Sequence, residues 1–548
     1  MSRFPRRVTL SLLAAMLALN LALRYPGAPH ETGVDSFIFH GLGQTAVDQG
    51  RAVWLLNPLS LFGLYPLSHP AGSVILVAAT SSAGGIPIEG SVLLLDFVIC
   101  SIGLLGAFLM AREIKPDDRF GLLVAFLMST APRFVSSLSW EMPTRSMFTA
   151  LVPIFVWAVL RLHRRVGSID LAVLGTILVV MMTAHRLTVV MAIVLIAYIV
   201  ASIFLVFARL LRTAYSSTFL RRPIQRATRV AAWSLLGIAA LYVIGLSDVL
   251  GAYERGQVGT GSGILAQIQN LGVSLARSAG LLLPLGILGV VAVVRSRAKD
   301  IREPWLIATM VGILPTLALR QYTGYYFVPF AAIFVGLGML YLHQALRKHP
   351  RVRSAVATGL LAFSLASTLY VVNYEVDVEQ YLSTTVYDGG IYLRHMGEGT
   401  FVANSGIVGV QMHAISGVSY MPIGGATTAS QGPEILVFGF MRPEEMQVRL
   451  IPIGSLTIED DSFFVLDDVN FEVIWATLMS TPVSDMSARR DLARYGIEYF
   501  VASRELPQSF EAYGKIYESK FAASVEVERY VAYSSAAVDV YVLGGHGG

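Results

Sequence analysis

Residues 26–87 read PGAPHETGVDSFIFHGLGQTAVDQGRAVWLLNPLSLFGLYPLSHPAGSVILVAATSSAGGIP and decide how the whole chain is interpreted. The segment follows one hydrophobic run and precedes a long series of others. Its beginning is too polar for the lipid interior, and its middle is too amphipathic for a plain linker. Asp35 lies near its start, His40 about one helical turn later and His69 before a proline. We interpret the segment as a large extracytoplasmic loop that folds onto the membrane surface and carries the first acid of an active site.

The composition of the 548-residue chain is that of a polytopic membrane protein. Hydrophobic residues make up 54% of it, charged residues 14%, and the mean hydropathy is +0.61. A soluble protein of this size does not bury so much apolar surface. The single cysteine, Cys100, lies in an apolar run, which excludes a disulfide framework and a cysteine-based metal site.

The net charge of +4 is the sum of a basic N-terminal region and an acidic C-terminal region. The first 374 residues contain 31 Lys and Arg against 14 Asp and Glu, whereas the residues from 375 onward contain 10 against 23. The basic excess belongs to the hydrophobic part, where it reports membrane topology. It does not indicate a nucleic-acid partner.

Apolar runs bounded by charges or turn residues predict eleven membrane-spanning helices. A cleaved signal peptide is the alternative for the first run, but no small-residue cleavage site precedes Pro26. Residues 71–80 are apolar but brief, so we expect a re-entrant or surface-lying helix there. The expected spans are 8–25, 88–111, 120–135, 146–160, 171–184, 187–207, 230–250, 276–294, 305–319, 325–342 and 355–372.

The basic loops fix the expected orientation. They alternate regularly along the chain, so all five can face the cytoplasm. The N-terminus is then cytoplasmic and the region after the last span lies outside. The loops cover residues 112–119, 161–165, 209–229, 295–302 and 347–353.

The pattern changes at about residue 373, where β-branched and aromatic runs alternate with polar turns. The expected strands are 400–402, 434–440, 462–466, 497–501 and 537–543, with a helix over 486–495. We therefore predict a transmembrane domain over residues 1–374, which includes the loop 26–87, and an extracytoplasmic mixed α/β domain over 375–548.

Several cations and acids fall at outer helix ends, where the topology leaves little reason for them. Together they predict a polar cavity at the outer membrane face, although each alone is compatible with structural ion pairing or snorkelling. They are Arg133, Arg145, Arg186, Arg255, Arg277, Arg320, Asp35, Asp48, Glu89, Glu141 and Glu254.

Glu141 and Arg145 stand four residues apart in the outer turn SWEMPTR, residues 139–145. They could pair with each other, or bind an acceptor hydroxyl and an anionic group of a substrate.

His185 and Arg186 lie between two apolar runs, where an ionisable pair is costly unless it faces a cavity or a partner. Arginine suits bidentate binding of phosphate oxygens and histidine can donate one more hydrogen bond. A structural tie to an acid is the competing interpretation.

The segment RQYTGYY, residues 320–326, closes one predicted helix and opens the next. Tyrosines such as Tyr322 and Tyr325 are common at the membrane–water interface. Arg320 beside them suggests a binding site for the phosphate of a lipid. Asp96, inside the second span, is a second candidate because intramembrane acids are commonly functional. It could also neutralise a cavity arginine.

No metal or nucleotide motif is evident. His40 and His69 could bind a divalent metal with Asp35, but the chain has no HExxH motif. It also has no Walker loop, no GxSxG and no GxGxxG between a strand and a helix. A divalent metal stays an open alternative, and no other cofactor is expected.

The layout resembles the GT-C superfamily of integral-membrane glycosyltransferases, which take sugars from polyprenyl-phosphate donors. It is most similar to the protein O-mannosyltransferase and aminoarabinose-transferase branch and to archaeal members. The motifs that carry the resemblance are GVDSFIFH (33–40), YPLSHPAG (65–72), SWEMPTRSMF (139–148), AHRL (184–187) and ARYGIEYFVAS (493–503).

The resemblance implies that Asp35 is a general base for an acceptor hydroxyl, with Glu141 as a second acid, and that displacement inverts the sugar. It implies that Arg145, His185, Arg186 and Arg320 bind the donor phosphate. We add His40, His69, Tyr322 and Tyr325 as substrate-binding candidates.

The implied partners are a polyprenyl-phosphate sugar donor, membrane lipids and a glycan, protein or lipid acceptor. Two departures are visible: the first loop lacks a DxD or ExD pair, and the WWDxG signature of oligosaccharyltransferases is absent. The alternatives are a transporter or flippase of lipid-linked sugars and a polysaccharide polymerase or ligase. We find no inverted repeat of the kind common in transporters.

Overall fold

The computed structural model describes most of the hydrophobic part of the chain and the central strands of its C-terminal part. The described residues are 5–48, 50, 72–162, 167–214, 275–276, 278–296, 300–313, 320–375, 382–396, 399–403, 406–421, 435–438, 449–453, 456–460, 463–466, 497–503, 531–534 and 538–542. The expected span 230–250, the helix 486–495 and His69 lie outside them.

Helices dominate the described residues. Two short 3₁₀ segments, Arg186–Val190 and Leu346–Lys348, accompany them. The α-helices are α1 Arg6–Ala22, α2 Val34–Asp48, α3 Gly72–Gly84, α4 Ile88–Ile114, α5 Asp118–Ser129, α6 Pro132–Ser136, α7 Thr144–Leu162, α8 Ser168–Ala184, α9 Met191–Ala214, α10 Leu285–Arg295, α11 Arg302–Ile313, α12 Arg320–Ala345, α13 Pro350–Glu375, α14 Thr384–Met396 and α15 Gly406–Ser416.

Five helical segments among the described residues are long and apolar enough to cross a membrane, so this is a membrane protein. They are Ile88–Ile114, Thr144–Leu162, Leu187–Phe207, Gly324–Lys348 and Pro350–Tyr370. All five overlap spans expected from the sequence. Their hydropathy arises from the Leu, Val, Ile and Phe residues that also favour burial against neighbouring helices.

The chain divides into two compact units. The first, which we call the helical unit, comprises Met1–Tyr25, Asp96–Ser139 and Pro143–Val376. The second, the loop–sheet unit, comprises Pro26–Leu95, Trp140–Met142 and Asp377–Gly548. The loop that follows α1 therefore belongs to the same unit as the strands, although more than 300 residues separate them in sequence.

Two expected spans are wrong in detail. Residues 120–135 form two helices, because Pro132 begins α6 and a proline cannot continue the hydrogen-bond ladder of α5. Residues 276–294 do not form one helix, since Gly280 adopts a positive φ of 93° and α10 begins only at Leu285. In addition, α12 already begins at Arg320, which was expected in an interhelical turn.

The buried guanidinium of Arg24 stabilises the break between α5 and α6. It donates 3.0 Å to the Phe134 carbonyl, 3.4 Å to the Ser129 carbonyl and 2.6 Å to the Asn20 side chain. Its guanidinium carbon also lies 4.9 Å from the centroid of the Phe134 ring. Carbonyl oxygens at the end of α5 and within the short helix α6 therefore find a charged donor.

The strands of the loop–sheet unit form one seven-stranded sheet in the order β6-β3-β2-β1-β7-β9-β8, and β4 and β5 form a separate hairpin. The central β1 pairs in parallel with β2 and β7, whereas the other pairs of the sheet are antiparallel. The strands are β1 Thr400–Ala403, β2 Ser419–Met421, β3 Ile435–Phe438, β4 Arg449–Ile453, β5 Leu456–Asp460, β6 Phe463–Leu466, β7 Ile497–Ser503, β8 Val531–Ser534 and β9 Val538–Val542.

Phe37 of α2 anchors the loop on the sheet. It is fully buried in a core formed by residues of α14, α15, β1, β7 and β9, among them Leu393, Met412 and Val501. Helix α2 also packs along α15 and α3. The beginning of the loop is thus held by apolar burial as well as by the polar contacts described below.

Backbone contact fixes α10 against α12 within the helical unit. A Cβ on Gly289 would collide with the Phe334 backbone, and a Cβ on Gly338 would collide with the Leu285 carbonyl. Only glycine allows two helices to approach so closely. The pair therefore requires both glycines.

We expect Gly289→Val to destabilise the protein by about 1–3 kcal/mol or more, because the added methyl groups overpack the α10–α12 contact. The matched control is Gly359→Val on α13, where a Cβ meets no atom within 4 Å. Thermal unfolding of both variants in detergent measures the difference. Equal midpoints would contradict the close approach of the two helices.

Candidate active site

The Glu31 carboxylate is the centre of a buried hydrogen-bond network in the loop–sheet unit. The residue is 0% exposed. The Ser36 hydroxyl donates to its Oε1 over 2.5 Å, and His40 Nδ1 donates to its Oε2 over 2.6 Å. Both oxygens are therefore satisfied by donors from α2, which fixes the helix relative to the extended segment before it.

The turn Trp140–Met142 is bound to the same network. The Met142 amide donates to the Ser36 hydroxyl over 2.5 Å, and the Thr32 amide donates to the Trp140 carbonyl over 2.8 Å. Trp140 has a φ of 64°, a left-handed conformation that is uncommon for a bulky residue. Such strain persists only where the surroundings impose it, and it is often found at functional sites.

Glu89, in the first turn of α4, ties a third segment to the network. Its Oε1 accepts hydrogen bonds from the Glu31 amide at 2.9 Å and from His30 Nδ1 at 3.1 Å. The Trp140 indole donates to the Glu89 carbonyl over 3.0 Å. The His30 ring stacks on Tyr387 with centroids 4.1 Å apart. Segments distant in sequence therefore converge around residues 30–36.

The network brings the two predicted catalytic acids into one neighbourhood. A Cβ on Gly33 would lie 2.9 Å from Cγ and 3.3 Å from Oε1 of Glu141, so the Glu141 side chain packs against the Gly33 backbone. Asp35 is the second residue of α2. Because its Cα is at most about 7.6 Å from that of Gly33, Glu141 lies beside the segment that carries Asp35.

A second buried histidine, His413, lies close to His40. His413 of α15 lies against Gly41, where a Cβ would be 3.0 Å from its Nε2. Its Nδ1 donates to the Val418 carbonyl over 2.8 Å, which leaves Nε2 as the acceptor of a neutral ring. Burial lowers the pKa of His413, and the nearby His40 lowers it further, against the opposing effect of the Val418 hydrogen bond. We therefore expect an uncharged His413.

A cationic and aromatic cluster forms in the helical unit. The guanidinium carbons of Arg133 and Arg145 lie 5.2 Å and 5.9 Å from the centroid of the buried Tyr325 ring. Tyr325 lies in the second turn of α12, whose N-terminus is the positive end of a 26-residue helix. Two arginines and a helix N-terminus are suited to an anionic group.

His185 has a well-defined tautomer. It is buried between α8 and the following 3₁₀ segment, and its Nδ1 accepts a hydrogen bond from the Leu187 amide over 3.1 Å. A neutral ring must then carry its proton on Nε2. The Thr188 hydroxyl donates to the Met181 carbonyl over 2.6 Å and closes the same turn. His185 is therefore held as an Nε2 hydrogen-bond donor.

Four predicted site residues have their backbones in helices while their side chains lie outside the described part. These are Asp35, Arg186, Arg320 and Tyr322. Of the remaining candidates, His40 belongs to the Glu31 network and the Glu141 side chain packs against Gly33, both in the loop–sheet unit. Arg145 and Tyr325 contact each other in the helical unit. His185 is placed in the helical unit.

Sequence reasoning missed Glu31, His413 and Arg24. Glu31 carried no local signal, because its role depends on hydrogen bonds that form only in the folded structure. Arg24 was counted inside the first span, and the structure places it within electrostatic range of the buried Asp96. Among the described residues, no group of three or more His, Cys, Asp or Glu side chains is arranged to hold a metal ion.

Solved structures that resemble this chain include glycosyltransferases of the GT-C type, and the chain has their fold. The resemblance expected from the sequence is thus confirmed for the fold. No protein-family profile and no curated protein matches the sequence.

In particular, the apo oligosaccharyltransferase of Archaeoglobus fulgidus aligns over 100% of this chain and 76% of its own, with a TM-score of 0.56 and 13% identity. The A. fulgidus AglB structure with an inhibitory peptide and a dolichol-phosphate covers 97% and 73%, with a TM-score of 0.54 and 13% identity. ArnT from Cupriavidus metallidurans bound to undecaprenyl phosphate covers 98% of each chain, with a TM-score of 0.51 and 12% identity.

We expect Gly33→Ala to destabilise the loop–sheet unit by about 1–3 kcal/mol, because alanine disfavours a φ of 89° and its Cβ meets Glu141. The control, Gly27→Ala, lies in the same loop with nothing within 4 Å. Adding Glu141→Ala should restore part of the loss by removing the clash. Limited proteolysis measures all three variants, and an absence of rescue would contradict the placement of Glu141.

Proposed function

We propose that this protein is a membrane glycosyltransferase that transfers a sugar from a polyprenyl-phosphate donor to an acceptor hydroxyl at the extracytoplasmic face, with inversion. The observation that carries the proposal is the position of Glu141 against Gly33, two residues before Asp35, within a chain of GT-C fold. Two acids at one place suit general acid–base work. The structural neighbours with dolichol-phosphate and undecaprenyl phosphate support a lipid phosphate as the leaving group.

In the proposed reaction, Asp35 accepts the proton of the acceptor hydroxyl as its oxygen attacks the anomeric carbon. The new bond joins the acceptor oxygen to that carbon, and the bond from the carbon to the phosphate oxygen breaks. Polyprenyl phosphate leaves with the bonding electron pair. A positioned base of this kind typically contributes a factor of about 10² to 10⁴.

The assignment of Glu141 follows from its neighbourhood. It lies on the turn whose backbone is fixed by Ser36 and Thr32, and its carboxylate can accept a hydrogen bond from the acceptor. The Glu31–His40 pair positions the beginning of α2. Its buried hydrogen bonds fix the first helical turns, which include the backbone of Asp35.

The developing phosphate charge requires fixed cations. We assign this role to Arg145, together with Arg320 at the beginning of α12 and with Arg186. His185 is suited to one further hydrogen bond from Nε2. The placement of Arg133 and Arg145 over the Tyr325 ring supports the role, because the ring orients both guanidinium groups at one place.

We also propose the topology expected from the basic loops: eleven spans, a cytoplasmic N-terminus and an extracytoplasmic α/β domain over 375–548. The acidic balance of that domain supports an outer location, since the outer face has no basic excess. A Cys100→Ala background with single cysteines at Ser534 or Arg351 tests this, because only the first is expected to react with an impermeant thiol reagent in intact cells.

Purified protein given a radiolabelled polyprenyl-phosphate sugar and an acceptor should release polyprenyl phosphate, and Asp35→Asn should reduce turnover by at least about 10²-fold because the base is lost. The matched control is Asp48→Asn, at the other end of α2. Normal turnover in Asp35→Asn would remove Asp35 from the chemistry. Transfer of intact donor across a vesicle membrane without release of phosphate would identify a flippase instead.

A further inference from the structure

A groove of about 710 Å³ opens between α1, α5, α12 and α13 of the helical unit. Its walls are predominantly leucine, methionine and phenylalanine side chains, among them Met16, Leu122, Phe126 and Leu360. The volume lies within the usual range of ligand sites. The walls are therefore suited to an extended hydrocarbon chain.

One end of the groove is charged. Arg119, His343 and Arg353 line it there, together with Asp117. The Asp117 carboxylate is the N-cap of α5 and accepts a hydrogen bond from the Arg119 amide over 3.0 Å. Its negative charge therefore lies at the N-terminus of that helix. His343 lies within electrostatic range of both arginines. The charged end therefore carries a net positive charge.

The connection between α12 and α13 adds to this positive field. It reads RKHPRVR over residues 347–353, with four arginine or lysine residues in seven positions. Leu346, which precedes this segment, and Arg353, which is its last residue, both line the groove. Basic clusters next to a membrane helix attract anionic lipids by about 1 kcal/mol for each cation.

The charged end of the groove lies far from the Tyr325 cluster. Both are positions on α12, and eighteen residues separate Tyr325 from His343. At 1.5 Å per residue this distance is about 27 Å, close to the thickness of a bilayer core. The groove therefore opens toward the membrane face opposite the cluster to which we assign the donor phosphate.

We propose that the groove between α1, α5, α12 and α13 binds a diacyl glycerophospholipid with an anionic headgroup from this opposite leaflet. The acyl chains lie along the leucine-rich walls, and the headgroup phosphate lies between Arg119 and Arg353. This is a lipid site separate from the donor site. It depends on the helical unit alone and not on the proposed transfer reaction.

Two pairs of variants on α13 distinguish lipid binding in the groove from nonspecific attraction of lipid to the protein surface. Arg353→Gln removes a lining cation, and Arg351→Gln makes the same charge change at an exposed position outside the lining. Ala357→Phe fills the groove, and Ala355→Phe adds the same ring to an exposed position of the helix. Size-exclusion profiles verify that each variant folds.

The experiment is native mass spectrometry of the purified full chain in mixed micelles of dioleoyl phosphatidylglycerol, dioleoyl phosphatidylcholine or undecaprenyl phosphate. We expect retention of one phosphatidylglycerol and no retention of phosphatidylcholine. Arg353→Gln removes a cation that lines the groove and should weaken binding by more than the roughly fivefold that corresponds to one cation of the general field. Arg351→Gln removes only such a field contribution and should weaken binding by about fivefold or less. Ala357→Phe should lower occupancy, whereas Ala355→Phe should leave it unchanged.

Three results would overturn the proposal. Equal retention of the two phospholipids would show a nonspecific lipid belt. Equal losses of phosphatidylglycerol binding in Arg353→Gln and Arg351→Gln would show that binding depends on the general surface charge and not on the groove. A preference for undecaprenyl phosphate would show that the groove holds the donor's lipid and not a membrane phospholipid.

Discussion

The interaction on which the candidate site depends is the hydrogen-bonded pair of Glu31 and His40. A carboxylate that is 0% exposed is stable in a folded protein only when donors satisfy it, and here the donors are His40 and the Ser36 hydroxyl. Because Ser36 also accepts the Met142 amide, the same carboxylate fixes the turn that carries Glu141. Each hydrogen bond to a charged group contributes about 1.5–3 kcal/mol.

This network explains how a site can be built from a loop. Residues 30–33, which precede α2, have little regular structure, so their geometry depends on partners far away in sequence. Glu89 at the start of α4, the Trp140 carbonyl and the ring of Tyr387 supply them. Phe37 adds apolar burial in the core of the sheet. The backbone segments that carry Asp35 and Glu141 are thereby held by contacts with other elements, as catalysis of the proposed kind requires.

Much of the fold could be predicted because hydropathy and length specify helices and strands locally. The five candidate spans and the strands β1, β3, β6, β7 and β9 all overlap predicted runs. The break at Pro132 was missed because the apolar run continues through it, and only the Arg24 contacts reveal why the break is stable. The α10 boundary at Leu285 was missed for the same reason.

The candidate site could be predicted only in part. Asp35, His40 and Glu141 stood out as polar residues in unusual places; His40 belongs to the Glu31 network, and Glu141 packs against Gly33 beside it. Glu31 could not be assigned, because its meaning comes from His40 nine residues later, Glu89 and Met142. Such pairings depend on tertiary structure and leave no periodic pattern in the sequence.

The most direct test of this account is a double-mutant cycle between Glu31→Ala and His40→Ala, with the free energy of unfolding measured by pulse proteolysis of the full chain. The account predicts a coupling energy of about 1.5–3 kcal/mol, because each single variant strands a buried polar partner. The pair Gln44→Ala and His40→Ala serves as the reference, since Gln44 bonds to the exposed Asp48. Additivity of Glu31→Ala and His40→Ala within about 0.5 kcal/mol would contradict the account.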